Sequence, residues 1–142
     1  MTPTRQRGSV TIELAILAPS LLLVASLAMI VGRISLAGAA VDATAYSAAR
    51  AASLARDPDT AKRRAETSIQ STMAAQDLHC LDLRVNVDTS QFGRDVGEPA
   101  SVTVSIECRV SLTDFAMPGM PTSRWVSAQY SSPLDQFRSR AG

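Results

Sequence analysis

Residues 7–33 read RGSVTIELAILAPSLLLVASLAMIVGR, and the eighteen from Leu14 to Val31 contain no charge. As a helix those residues rise about 27 Å, close to the roughly 30 Å of a bilayer's hydrocarbon core. The segment is long enough to span. Two readings compete for it. Arg5 and Arg7 form a basic start and Ala37-Gly38-Ala39 offers a small-x-small site, as in a removed signal peptide. The length of the apolar run, and Arg33 ahead of that site, favour a retained anchor. Arg5 and Arg7 precede the span, while Arg33 is the only basic residue in the fifteen that follow it. Positive charge prefers the cytoplasmic side, so the reading is a single-pass cell-membrane protein with its N-terminus inside and its C-terminal domain extracytoplasmic.

Two residues stand out in this stretch. A carboxylate at Glu13, on the edge of the apolar run, needs a partner unless it lies at headgroup depth near a helix N-terminus. Pro19 removes a backbone hydrogen bond, which predicts a kink in the helix.

Arg7-Gly8-Ser9-Val10-Thr11-Ile12-Glu13-Leu14 followed by Pro19 resembles the processing site of type IV pilin-like proteins, which a prepilin peptidase cuts after the glycine. Cleavage after Gly8 would make Ser9 the first mature residue and Glu13 the fifth, where the family carries its glutamate. The closer resemblance is to TadE-like proteins, the small pseudopilins of tight-adherence (Flp) pilus systems. Glu13-Leu14-Ala15-Ile16-Leu17-Ala18-Pro19, Gly32-Arg33 and Ala49-Arg50-Ala51-Ala52 carry it. Where the family often has an aromatic after the glutamate, this chain has Leu14. The resemblance implies a non-enzymatic minor pilin or pseudopilin for a Flp-type pilus or related secretion apparatus. Its partners would be the membrane, a prepilin peptidase, other pilin-like subunits and pilus assembly proteins. It also implies an assembly role for Glu13, whose carboxylate would pair with the terminal amine of a neighbouring subunit. A lone carboxylate in a low-dielectric helix bundle is costly, so one partner amine selects one register. The alternative is an extracytoplasmic binding domain unrelated to pili.

Further along, Arg33 to Arg56 lacks proline and is rich in alanine, the best helix former. Ile34, Val41, Ala45, Ala48, Ala52 and Ala55 make one stripe of apolar, mostly small side chains, with Asp42, Tyr46 and Arg50 on another face. That stripe packs either on the protein's own domain or between subunits. Asp57-Pro58-Asp59 ends this helix and starts a second, with Asp57 as N-cap and Pro58 at the first helical position. The second runs to about Gln76, with Ala61, Ala65, Ile69 and Met73 as a thin apolar face. Leu81 to Asp88 alternates as a half-buried strand, Val102, Val104 and Ile106 mark a second, and Val126, Ala128 and Tyr130 a third.

The fold class expected is α+β: a transmembrane helix continuing as a long helix, a second short helix and a small three-stranded antiparallel sheet. The division expected is a leader at 1–8, the span at 9–32, an alanine-rich exported helix at 33–56, a small domain at 57–130 and a flexible tail at 131–142.

Chemistry is sparse in the sequence. Net charge is +1, and removing Arg5, Arg7 and Glu13 leaves twelve basic against twelve acidic residues. No basic stripe interleaved with aromatics marks a nucleic-acid partner. Lys62, Arg63 and Arg64, beside Glu66, read as a solvated helix face. With one histidine, His79, multi-histidine metal sites are excluded, and neither a phosphate loop nor a nucleophile motif is present. No catalytic residue, cofactor, metal or small-molecule substrate is expected. Cys80 and Cys108 read as a disulfide in an oxidising compartment, with two free buried thiols as the alternative. Cys80 has the opposite parity to Leu81, so a bond requires it to sit in the turn before the strand or at a bulge.

Overall fold

The computed structural model describes residues 7–115, 119, 121–135 and 137. Most of the leader, at 1–6, and much of the tail, at 136 and 138–142, lie outside the described residues. The architecture is α+β. Helix α1 runs Arg7–Ser53 and α2 Pro58–Ala75, followed by β1 Asp82–Asp88, β2 Ser101–Ser111 and β3 Ser123–Pro133. Short 3-10 turns occupy Ser90–Gly93 and Thr113–Phe115. Contacts divide the chain into two units, Met1–Arg33 and Ile34–Gly142.

In the second unit the sheet order is β1-β2-β3, antiparallel throughout. The register sets Leu83, Cys108 and Val126 on one rung, Val85, Ile106 and Ala128 on the next, and Val87, Val104 and Tyr130 on a third. Residues directly opposite in such a ladder share a face, so these rungs define an apolar side. Asp82, Arg109 and Trp125, with Arg84 and Glu107, lie on the other.

The apolar side is closed by helix. Val41, Ala45, Ala48, Ala49 and Ala52 of α1 and Ala61, Ala65 and Ile69 of α2 join Val102, Val104, Ile106 and Cys108 in one buried cluster. From Val41 to Ala52 the stripe therefore packs on the protein's own domain. Small side chains let the helix backbones come close to a flat sheet. Thr44, fully buried on α1, donates to the Ala40 carbonyl at 2.7 Å, so its hydroxyl enters the core with a partner. Phe92, from the turn between β1 and β2, fills a further part of the cluster.

Both ends of α2 follow from local chemistry. Asp57 has extended backbone and its carboxylate accepts from the Thr60 N–H at 2.8 Å, with Pro58 opening the helix. That hydrogen bond holds the Asp57 carboxyl below its ordinary range. Because the folded value is depressed, the cap's contribution is full above the usual carboxylate range and is lost as pH falls through the lower folded value. At the other end the Leu78 N–H reaches the Met73 carbonyl at 3.0 Å and the Asp77 N–H the Ala74 carbonyl at 3.3 Å. This is a Schellman closure, and it requires positive φ at Asp77, which has φ 51°. Glycine is the residue that region accepts without strain. Asp77→Gly is expected to raise folding stability by about 0.5 kcal/mol, read as a higher denaturant midpoint.

Two boundaries differ from those the alternation predicts. β2 continues to Ser111, past the Val102, Val104 and Ile106 that mark it, so Cys108 lies within the strand. β3 starts at Ser123 and continues to Pro133, past the Ser131 start expected for the tail, because Ser131, Ser132 and Pro133 pair with Thr103, Val102 and Ser101. Ser132 is buried and donates to the Ser53 hydroxyl at 3.0 Å, and the Leu134 N–H reaches the Ala100 carbonyl at 2.8 Å. Polar residues can end a strand inside when a hydroxyl partner is waiting there.

Candidate functional site

The residues singled out for processing and assembly all lie on α1, in the first unit. α1 begins at Arg7, so Gly8 and Ser9 are in its first turn. Glu13 is exposed two turns into the helix's start, and Pro19 is inside the helix. The proline nitrogen has no hydrogen to give the carbonyl four residues back. Next to it, the Ser20 hydroxyl donates to the Leu17 carbonyl at 2.8 Å, and Ser26 does the same to Leu22 at 2.8 Å. Such back-bonds satisfy both hydroxyls within the helix.

This unit exposes Ile12, Leu14, Ile16, Leu17, Leu21, Leu22, Leu23 and Val24, each more than half accessible. A soluble surface does not carry so continuous an apolar sleeve. From Ile12 onward α1 is long and apolar enough to cross a membrane, the single such helix among the described residues.

Cys80 and Cys108 are joined by a disulfide, with their Cα atoms 5.4 Å apart. Cys108 points into the core from β2. Cys80 precedes β1, and the chain bends at Leu81, whose N–H reaches the Arg109 carbonyl at 2.7 Å. That bend lets Cys80 escape the parity of the strand, as the alternation demanded.

The outer face of the sheet holds contacts that the sequence did not announce. The Arg84 guanidinium lies 4.7 Å from the Trp125 ring centre and Arg109 lies 5.7 Å away. Arg84 also meets Glu107 at 3.7 Å, both groups exposed. On the apolar side Tyr46 of α1 packs edge-on against Tyr130 of β3, ring centres 4.8 Å apart. Each pair joins residues distant in sequence, and only the register brings them together.

His79 is exposed in the junction between α2 and β1, its Nδ1 3.2 Å from the Asp77 carbonyl oxygen. Among the described residues no group of three His, Cys, Asp or Glu side chains is placed to hold a metal ion. Lys62, Arg63 and Arg64 are exposed on α2, where Arg63 meets the Thr60 hydroxyl at 2.9 Å and Arg64 the Leu54 carbonyl at 3.2 Å.

The first unit's helix and the helix-covered sheet define a protein with one candidate membrane span and one small α+β domain. Residues 8–50 match the model of the family described as TadE-like protein, so the chain is similar to that family over that stretch. The match begins at Gly8, takes in Glu13 and Pro19, and ends within α1. No curated protein and no solved structure matches the chain.

Proposed function

We propose that this chain is a non-enzymatic, membrane-anchored minor pilin or pseudopilin that serves the assembly of a Flp-type pilus or a related secretion apparatus. The observation that carries the reading is the TadE-like match over residues 8–50, lying on a helix apolar enough to span a membrane. In this reading the N-terminus is cytoplasmic and the disulfide-bonded domain is exported to an oxidising compartment, where such a bond persists. A prepilin peptidase removes residues 1–8. The bond it cuts lies in the first turn of α1, the part of a helix that opens at least cost. The span is kept, and Ser9 supplies the new amine.

Glu13 then acts between subunits. In a bundle of apolar helices its carboxylate pairs with the Ser9 amine of a neighbouring copy or of another pilin-like subunit, which fixes the register. Glu13→Gln keeps size and hydrogen-bonding capacity while removing the charge. Membrane level and cleavage are expected to stay near normal, with co-purification of pilus components and filament number reduced. Normal piliation and normal partner binding in a cleaved, accumulated variant would remove the assembly role.

Sequencing the N-terminus of membrane-extracted protein tests the whole reading. A start at Ser9 is expected. A start near Ala40 would make the segment a signal peptide and the domain a secreted one, and an uncut chain would leave a plain anchor unrelated to pili.

A further inference from the structure

The helices cover the apolar side of the sheet over its middle and stop short of one edge. Val104 and Ile106 on β2 are buried, whereas Val85 and Leu83 on β1 are 39% and 40% exposed and Leu81, just ahead of the strand, 58%. β1 ends the sheet order, so among the described residues its outer backbone N–H and C=O groups have no strand to meet. On the opposite edge Val126 and Ala128 are half-buried, Tyr130 is 41% exposed beside Tyr46, and β3 ends at Pro133, which has no N–H to offer a new strand. An open edge beside an apolar row is a surface for strand addition.

We propose that β1 docks a second copy of this chain, strand against strand and antiparallel about a two-fold axis at Leu83, giving one sheet continuous across two subunits. The charges select the partner and the register. An axis at Leu83 sets Leu83 against itself, Leu81 against Val85, and Asp82 against Arg84, the last two twice by symmetry. Leu83 then covers its own copy and Val85 meets Leu81 at the bend ahead of the partner strand, while opposite charges meet on the other face.

Other axes do worse. At Asp82 or Arg84 a charge faces its own copy, and at Val85 Asp82 faces Asp88. An axis between residues sets apolar against charged side chains. An axis at Asn86 brings Arg84 to Asp88, but it sets Leu83 against Thr89 and leaves Leu81 bare. The Asp88 carboxylate, moreover, already accepts from the Ser90 N–H at 2.9 Å. Arg84 already meets Glu107 in an ion pair exposed at both ends, with the Trp125 ring 4.7 Å away, so turning to Asp82 of the second copy exchanges one exposed ion pair for another.

The test uses the full chain, in detergent and in vesicles, carrying Leu83→Cys and treated with a short bis-maleimide after mass analysis has shown the Cys80–Cys108 bond intact. A covalent dimer is expected, with far less from Gln129→Cys on β3. On the Leu83→Cys background, Asp82→Arg or Arg84→Asp should each lower the cross-linked fraction about fivefold or more. Asp82→Arg combined with Arg84→Asp should restore it to within about twofold, which separates a lost register from a lost fold.

Association through the membrane helix alone would give dimers that ignore the charge swaps, and that result overturns the proposal. So does indifference to Asp82→Arg with sensitivity to Arg84→Asp, which marks the Asn86 axis. Cross-linking at Gln129→Cys equal to that at Leu83→Cys places the contact on β3. A Leu83→Cys thiol shielded from aqueous maleimide in vesicles, yet never cross-linked, makes lipid the cover. Either result removes the docking edge.

Discussion

Replacing both Cys80 and Cys108 with alanine is expected to lower the stability of the sheet-bearing unit by about 3.5 kcal/mol, the chain-entropy value for a loop of this length. The bond joins residues separated by 28 in sequence, and the loop it closes holds β1, the turn carrying Phe92 and most of β2. In the unfolded chain that loop is free to open. Alanine suits both positions better than serine, since Cys108 is fully buried and a hydroxyl there would need a partner. The check is equilibrium denaturation of wild type and variant with and without reductant. Reductant should move the wild-type midpoint to that of the variant and leave the variant unmoved. A shift worth less than about 1 kcal/mol would mean that β1 and β2 hold the loop closed through residual pairing in the unfolded state. Such a loss is a large part of the 5 to 15 kcal/mol that a whole domain typically commands.

The sequence made legible whatever is periodic or punctuated. Alternation placed β1 and β2 because one face of each is apolar and the other polar. Asp57 and Pro58 placed the start of α2 because their side chains act within one turn. The parity of Cys80 against Leu81 narrowed the bond's exit to the turn before the strand or a bulge. Residues whose burial depends on a distant partner were hidden. Ser132 is inside because Ser53 meets it from α1, and nothing in Ser131-Ser132-Pro133 alternates in hydropathy. Phe92 gave a faint signal, a lone aromatic in a turn otherwise rich in glycine and charge. Asp77, at positive φ, looks like any acidic residue until the hydrogen bonds of the helix end are drawn. In the candidate site, the spacing of Gly8, Glu13 and Pro19 was readable because it is local. The partner proposed for Glu13 would belong to another molecule, which one chain's sequence does not contain.

Ile106→Ala is expected to cost about 2 to 5 kcal/mol, while Val85→Ala on the same rung should cost under about 1 kcal/mol. The rung runs Val85, Ile106, Ala128 across the three strands, and all three lie on the sheet's apolar side. Ile106 is 1% exposed at the centre, so truncation removes contacts on every side and leaves a cavity that the alanine-rich helix faces cannot fill without moving the backbone. Val85 already meets water at the edge, and its loss opens no cavity. Denaturant melts of the two variants, at a concentration where wild type is monomeric, measure the difference. Equal losses would show the helices reaching over β1 and would remove the uncovered row. At higher concentrations Val85→Ala should lose stability relative to wild type while Ile106→Ala keeps a constant deficit, because stability gained from a second copy rises with protein concentration. A concentration-independent Val85→Ala would leave the row with no subunit to cover it.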